Sequence, residues 1–225
     1  MPLIKPEERI LQWIDERTGA IDVFELLKSI LDRPVPRQAM NPAYCLGGIA
    51  FFAFLVDAFT GIFLAFYYVP SAEMAYESVK FISTEVYLGS FMRSLHHWAA
   101  HLMIAAVYLH MFRVYLVGAY QKPRELNWMI GLLLLFCTLG LGFSGYMLPW
   151  DQVSYWASTI GLQLVASVPV IGPVFQKLLL GGAEIGGGTL ARFYTLHILV
   201  LPAILMGLCV IHFILVRNQG IKEPL

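Results

Sequence analysis

The sequence has little charge for its length. Only 13% of its 225 residues are charged and 58% are hydrophobic, which is too apolar for a soluble domain of this size. Lys and Arg number 15, as do Asp and Glu, so the formal net charge is zero and nothing indicates nucleic-acid binding. Cysteine is scarce too, because Cys45, Cys137 and Cys209 are the only three and form no Cys-x-x-Cys pair. These features indicate an integral membrane protein without a disulfide framework or a zinc site.

The N-terminal segment lacks the apolar core of a signal peptide and carries charges throughout its length. We expect residues 1–38 to form a polar, partly amphipathic helix that lies on the membrane surface. A membrane domain is expected to follow over residues 39–225.

Four apolar segments are long enough to cross a bilayer as helices. They cover residues of about 43–69, 90–117, 126–148 and 192–216, here called the first to fourth spans. A fifth uncharged stretch, residues 152–176, contains breakers of a spanning helix: Gly161, Pro169, Gly172 and Pro173. The predicted fold is therefore an all-α membrane protein. It has a four-transmembrane-helix bundle, an N-terminal surface helix, and two short surface helices between the third and fourth spans.

Loop charge predicts the orientation of these spans. With four spans, both termini and the loop between the second and third spans share one side of the membrane. That side holds eleven basic residues, which are Lys5, Arg9, Arg17, Lys28, Arg33, Arg37, Arg113, Lys122, Arg124, Arg217 and Lys222. The opposite side holds four, which are Lys80, Arg93, Lys177 and Arg192. The positive-inside rule then predicts that both termini are cytoplasmic.

Four histidines in the second and fourth spans carry the strongest functional signal. His96 and His110 are 14 residues apart, and His197 and His212 are 15 apart. Fourteen α-helical residues turn the chain to about 40° short of four full turns and advance it about 21 Å, so both side chains leave nearly one face. Both spans run from outside to inside, which pairs His96 with His197 near the outer surface and His110 with His212 near the inner surface. Bis-imidazole ligation of two b-type haems is the simplest chemistry that uses all four. The alternative is four polar residues satisfied within a helix bundle.

Glycines in the other two spans repeat the same interval. Gly47 and Gly61 in the first span, and Gly131 and Gly145 in the third, are each 14 residues apart. A flat macrocycle in a helix bundle needs neighbouring helices without side chains where they meet it. Ordinary small-residue helix packing is the alternative, although it does not by itself predict this spacing.

Other polar residues near the span ends have less certain roles. Arg93, Arg192 and Arg113 are candidates to pair haem propionates, and interfacial snorkelling is the alternative for each. His97 and His101 lie off the His96 face and are not predicted ligands. They are expected to face a partner subunit, lipid headgroups or a propionate, and the role of Asp57 stays open.

With these residues placed, the chain resembles the cytochrome b6 type of cytochrome b, in its short four-helix form. The resemblance covers nearly the whole length and is carried by specific motifs. In chain order they are Tyr44-Cys45-Leu46-Gly47-Gly48, Arg93-Ser94-Leu95-His96, Leu109-His110-Met111-Phe112-Arg113-Val114-Tyr115, Lys122-Pro123-Arg124-Glu125-Leu126, Gly145-Tyr146-Met147-Leu148-Pro149-Trp150-Asp151-Gln152, Arg192-Phe193-Tyr194-Thr195-Leu196-His197 and Gln219-Gly220-Ile221.

This resemblance implies a subunit of a quinol-oxidising complex that helps to build a proton gradient. Quinol gives one electron to a Rieske iron–sulfur protein, and a c-type cytochrome or plastocyanin is the further acceptor. The other electron passes through the two b haems to an inner-side quinone site. A separate subunit is expected to supply the remaining helices and the Pro-Glu-Trp-Tyr loop of the outer site. The complex is expected to be a dimer embedded in membrane lipid.

The resemblance also implies roles for individual residues. In this family the Cys of the segment matching Cys45 carries an additional haem through one thioether bond. Arg217 matches a position near the inner quinone site, and Trp150 and Asp151 are candidates for quinone-site residues. The Pro-Trp-Asp-Gln and His-His-Trp sequences look more like non-chloroplast bacterial subunits, including menaquinol-oxidising ones. A bacterial cell membrane is therefore expected rather than a thylakoid.

Two other classes of protein remain as alternatives. A di-haem b anchor of a dehydrogenase or hydrogenase also has four or five helices with membrane-embedded histidines, but would not carry the Cys45 segment or the paired glycines. A transporter with a histidine-lined proton path would bind no haem and would often show an inverted repeat, of which there is no sign.

Overall fold

Four long helices form the body of the protein. The computed structural model describes residues 41–222, so the expected surface helix in residues 1–38 lies outside the described part. Within that part, the helices long and apolar enough to cross a membrane number four, as predicted. They are α1 (Pro42–Ala65), α3 (Gly89–Leu116), α4 (Glu125–Met147) and α7 (Gly187–Gln219).

Three short helices join the long ones. Two of them, α5 (Gln152–Ala166) and α6 (Gly172–Leu180), occupy the stretch where two short helices were predicted. The third, α2 (Ala75–Thr84), was not predicted from the sequence. This helix packs against the start of α3, where Gly89 lies so close to the Ile82 carbonyl that no side chain could be accommodated.

Local capping sets several helix ends. Asn41 accepts a hydrogen bond from the Ala43 amide at 3.0 Å, and Pro42 occupies the first turn of α1. Asp151 caps α5 in the same way, accepting from the Ser154 amide at 2.8 Å. The first span ends at Ala65 rather than near residue 69, because the apolar residues that follow it form a turn before Pro70. Composition alone does not separate such a turn from the helix.

The four long helices pack as two antiparallel pairs around a shared core. Helix α1 packs mainly against α3, and α4 packs mainly against α7. The core between them contains Ala53, Phe54, Met103, Leu141, Leu205 and Cys209. Large apolar side chains on the outer faces stay exposed, including Phe52, Phe59, Phe112 and Phe136, each at least 60% exposed. An apolar outer surface of this extent suits lipid or partner helices rather than water.

Helix α7 contains one turn of a different kind. Residues Leu196–Val200 form a π-helical segment, in which the Leu201 amide bonds to the Leu196 carbonyl five residues before it. Such a turn holds one more residue than an α-helical turn. The 15-residue interval from His197 to His212 therefore turns the helix about as far as the 14-residue interval does in α3.

Candidate functional site

His96 and His197 meet between α3 and α7. The centres of their imidazole rings are 6.2 Å apart and the ring planes are inclined at 78°. His197 lies in the π-helical segment of α7, directly after its first residue. The two side chains predicted to form one pair are thus brought together.

His110 and His212 form a matching arrangement at the other end of the same helices. Their ring centres are 6.4 Å apart and the planes are inclined at 79°. Fourteen residues of α3 separate the two pairs, which corresponds to about 21 Å along the helix axis. Two nearly identical imidazole pairs are therefore stacked along the bundle.

Each of the four repeated glycines faces one of these histidines. An ideal Cβ at Gly47 would lie 3.1 Å from the His110 ring, and one at Gly61 would lie 3.3 Å from His96. At Gly145 the Cβ would lie only 2.6 Å from the His197 ring, whereas at Gly131 it would be 3.8 Å from His212. Helices α1 and α4 thus flank both imidazole pairs with backbone. A methyl group would not fit at Gly145 unless the ring moved, and it would be tightly packed at Gly47 and Gly61.

Hydroxyl groups that the sequence analysis missed contact the first pair. The Thr60 Oγ1 lies 2.9 Å from the Nδ1 of His96, and the Ser144 Oγ lies 3.1 Å from the Nδ1 of His197. The Asp57 carbonyl also lies 3.1 Å from the His96 Nδ1. The sequence did contain an indication of these contacts, since each hydroxyl residue directly precedes the glycine that faces the same histidine.

The second pair lacks such contacts. Within residues 41–222 the Nδ1 atoms of His110 and His212 have no hydrogen-bond partner, although both are buried. The Asn127 carbonyl is close to His212 but is outside hydrogen-bonding geometry. The two pairs therefore share ring geometry but differ at Nδ1, which has hydrogen-bond partners in the first pair and none in the second.

Three further polar residues lie near the His96 end. The Asp57 carboxylate is 11% exposed, and its Oδ1 lies 3.8 Å from the His96 Nδ1, which is too far for a hydrogen bond. His97 and His101 are exposed neighbours on α3, with ring centres 4.4 Å apart. The His101 Nδ1 donates to the His97 carbonyl at 2.7 Å, so these rings do not join the His96–His197 pair.

The predicted arginines differ in where their side chains lie. Arg93 lines the cavity around His96 and His197 and donates to the Ser83 hydroxyl at 3.4 Å. Arg113 lines the cavity around His110 and His212, with its guanidinium 4.6 Å from the centre of the Tyr44 ring. Arg192 instead donates to the Gly188 carbonyl of its own helix at 3.1 Å.

The segment between α4 and α5 closes the His96 end. Trp150 adopts a positive φ of 53° and packs edge-on against Tyr155 at 5.9 Å. Asp151 lines the same cavity as His96 while it caps α5. Tyr68 donates its hydroxyl to the Leu148 carbonyl at 2.8 Å, and burial raises the pKa of this phenol above its usual range. The phenol therefore stays protonated, and its hydrogen bond joins the segment after α1 to the end of α4.

Cys45 and Arg217 both lie at the His110 end of the long helices. Cys45 is exposed in the first turn of α1, two residues before Gly47, and its thiol donates to the Asn41 carbonyl at 3.7 Å. Arg217 lies in the last turn of α7, five residues after His212.

The donor set suits one metal between two imidazoles better than a multidentate metal cluster. Among the described residues, no group of three or more His, Cys, Asp or Glu side chains is placed to hold an ion. Two metal–nitrogen bonds of about 2 Å each, plus two ring radii of about 1 Å each, place trans imidazole centres about 6 Å apart. Both observed separations, 6.2 and 6.4 Å, meet this requirement.

Sequence and structure comparisons identify relatives over nearly the whole chain. Residues 30–220 match the family described as cytochrome b/b6/petB. The cytochrome b6 of Heliobacterium modesticaldum is 48% identical, covering 96% of this chain and 100% of the relative. The menaquinol:cytochrome c reductase cytochrome b subunit of Geobacillus thermodenitrificans is 44% identical, covering 96% of this chain and 99% of the relative.

A solved structure shows the same fold. It is described as a hyperthermophilic respiratory Complex III, with a TM-score of 0.79 and 33% sequence identity. The match covers 94% of this chain, which spans only 55% of that solved chain. The family match, the similar relatives and the shared bundle agree, and this chain is an integral membrane protein that belongs to the cytochrome b/b6 family.

Proposed function

We propose that this chain is the di-haem electron-transfer subunit of a quinol:cytochrome c oxidoreductase complex. Membership of the family implies haem b. The observation that carries the di-haem assignment is the pair of matching imidazole arrangements, at 6.2 and 6.4 Å between ring centres. Neither the dehydrogenase anchor nor the transporter is favoured by any of these relatives.

His96 with His197 would hold one haem, and His110 with His212 would hold the other. The four facing glycines would admit the macrocycle edges, and the hydrogen bonds at Nδ1 would leave the Nε2 lone pairs of His96 and His197 free for iron. Haem, when bound, supplies one-electron redox chemistry, while the protein sets its ligands, orientation and surroundings. Arg93, Arg113 and Arg192 would pair the propionates, with Arg192 needing to leave its contact with Gly188.

We assign the His96 end to the outer side of a bacterial cell membrane and both termini to the cytoplasmic side. The support is the eleven-to-four distribution of basic residues. Electrons from quinol oxidised at the outer side would pass from the His96–His197 site to the His110–His212 site. Trp150 and Asp151 would border the outer quinol site, and Arg217 the inner quinone site. This path would contribute to proton translocation.

Cys45 would carry a third haem through a single thioether bond. The support is its position, since it is exposed in the first turn of α1, two residues before the glycine that faces His110. The preceding residue, Tyr44, has the Arg113 guanidinium 4.6 Å from its ring centre, and both line the cavity around His110.

The proposed partners are a Rieske iron–sulfur protein, a c-type cytochrome and a subunit with the remaining helices and the Pro-Glu-Trp-Tyr loop. One relative is named for menaquinol and cytochrome c, which supports this acceptor and quinol class. This chain would then be active only within the complex, which we expect to be dimeric.

Acid–acetone extraction of the purified complex, followed by pyridine haemochrome spectra of extract and pellet, tests the cofactor content. We expect two extractable b haems per chain and one haem that stays with this chain on a denaturing gel. Two extractable haems with none retained would refute the Cys45 attachment alone. The absence of any haem would refute the electron-transfer function.

A further inference from the structure

The two imidazole pairs differ in the residues that precede the facing glycines. At the His96–His197 pair these residues are Thr60 and Ser144, each next to its glycine in sequence. At the His110–His212 pair, the corresponding positions hold Leu46 and Ile130, which offer no hydroxyl. The corresponding positions therefore carry a hydroxyl at one pair and no hydroxyl at the other.

Each hydroxyl group also donates a hydrogen bond to a backbone carbonyl, and this shows that it accepts the hydrogen bond from the histidine. Thr60 donates its hydroxyl proton to the Val56 carbonyl at 2.7 Å, so its oxygen accepts from the His96 Nδ1. Ser144 donates to the Leu141 carbonyl at 3.2 Å and accepts from the His197 Nδ1 in the same way. Both hydroxyl oxygens are buried, since Thr60 is 0% exposed and Ser144 is 2% exposed. In an apolar bundle, water does not compete for these bonds.

A hydrogen bond accepted from the Nδ1–H raises the basicity of the opposite ring nitrogen. A more basic ligand favours the oxidised iron, which carries the greater positive charge, and this lowers the reduction potential. Resting on the proposed function, we infer that Thr60 and Ser144 are positioning residues, which hold the potential of the His96–His197 haem lower than it would be without these two hydrogen bonds.

The test is a redox titration of the purified complex, following the absorbance of the two b haems. Ser144→Ala removes the hydroxyl that contacts His197, and Thr60→Val removes the hydroxyl that contacts His96, while the backbone carbonyls of Leu141 and Asp57 stay beside the two rings. We expect each substitution to raise the potential of the His96–His197 haem. A shift of up to about tenfold in the equilibrium between the haems corresponds to about 59 mV for a one-electron couple.

Matched variants separate this effect from loss of packing. Thr60→Ser keeps the hydroxyl and is expected to titrate like the unsubstituted protein. Ser158→Ala removes a buried hydroxyl that bonds to the Ser154 carbonyl of its own helix and to neither imidazole pair, and is expected to leave both potentials unchanged. The His110–His212 haem serves as an internal reference in every sample.

The inference is overturned if the potential of the His96–His197 haem does not move in Ser144→Ala or Thr60→Val, if both haems move equally, or if Thr60→Ser behaves like Thr60→Val. A sample with no b-haem transitions at all would instead refute the proposed function. The two failures are therefore distinguishable in the same titration.

Discussion

Gly145 on α4 lies against the imidazole of His197 on α7, so that an ideal Cβ at position 145 would be 2.6 Å from the ring Cε1. Real Cβ atoms do not approach another heavy atom so closely, and the contact is with a ring rather than the end of a flexible chain. Position 145 therefore accepts glycine alone unless His197 moves. At the three related glycines an added Cβ would lie farther from its histidine ring, so the four positions can be ranked by this distance.

Gly145→Ala is expected to disrupt the His96–His197 site. Overpacking of this kind costs about 1–3 kcal/mol or forces the ring away from its partner. We expect this variant to retain one b haem per chain instead of two, as measured by pyridine haemochrome. The effect is expected to weaken in the order Gly145→Ala, Gly47→Ala, Gly61→Ala and Gly131→Ala, following Cβ distances of 2.6, 3.1, 3.3 and 3.8 Å.

Gly48→Ala is the matched control, because an added Cβ there meets nothing within 4 Å. It tests the same substitution in the same helix turn as Gly47→Ala. Equal haem loss in Gly48→Ala and Gly47→Ala would show that general helix perturbation, rather than the histidine contact, causes the defect.

Replacement of one histidine at a time is expected to remove one haem at a time. In His110→Leu we expect the His96–His197 haem to remain and a single b-type transition to appear in a redox titration. His96→Leu is expected to leave only the His110–His212 haem. His101→Leu is the control on the same helix, since its ring lines the same cavity as His96 and His197 but contacts His97 and Trp98 instead of either pair. Loss of a haem in His101→Leu would contradict the pairing proposed here.

Cys45→Ala is expected to abolish haem that stays with this chain on a denaturing gel, while both extractable b haems persist. The reason is that a thioether bond needs the thiol, whereas the two imidazole pairs do not involve it. Cys137→Ala and Cys209→Ala are the comparison variants, because Cys209 belongs to the helix core and Cys137 packs against it. Retained haem in Cys45→Ala would assign the covalent attachment elsewhere or exclude it.

Much of the fold followed from apolar length and loop charge, because spanning helices need about 20 apolar residues. The pairing of His96 with His197 and of His110 with His212 followed from helix periodicity and direction. The roles of Thr60 and Ser144 did not follow, since a hydroxyl in a helix usually bonds to its own backbone and only tertiary structure reveals a second partner. Helix α2 was missed because it is short and amphipathic, with apolar and polar residues in equal number.

The spacing of the histidines also did not predict the π-helical segment. Fifteen residues of regular α-helix would carry His212 about 60° beyond four turns from His197, whereas the 14 residues in α3 stop about 40° short of four. The two intervals were expected to be equivalent. They are equivalent because the π-helical segment Leu196–Val200, which contains His197, holds one more residue per turn than a regular α-helix.

Because the π-helical segment holds one additional residue, we expect the protein to tolerate the deletion of one residue from it. Removal of Leu199, which is 63% exposed, is expected to convert the π turn into an α turn and to keep His197 in register with His212. The variant should therefore bind both b haems, as measured by haem content per chain. Pro202 already lacks an amide proton, so the shortened turn loses no hydrogen-bond donor at that position.

Removal of Gly207 is the matched deletion, since it shortens the same interval by one residue within regular α-helix. An added Cβ at Gly207 meets nothing within 4 Å, so no packing contact of its own is lost. This deletion turns His197 by about 100° relative to His212, and we expect the chain to keep at most one b haem. If the Gly207 deletion bound both haems while the Leu199 deletion did not, the π segment would not be the element that aligns the two histidines.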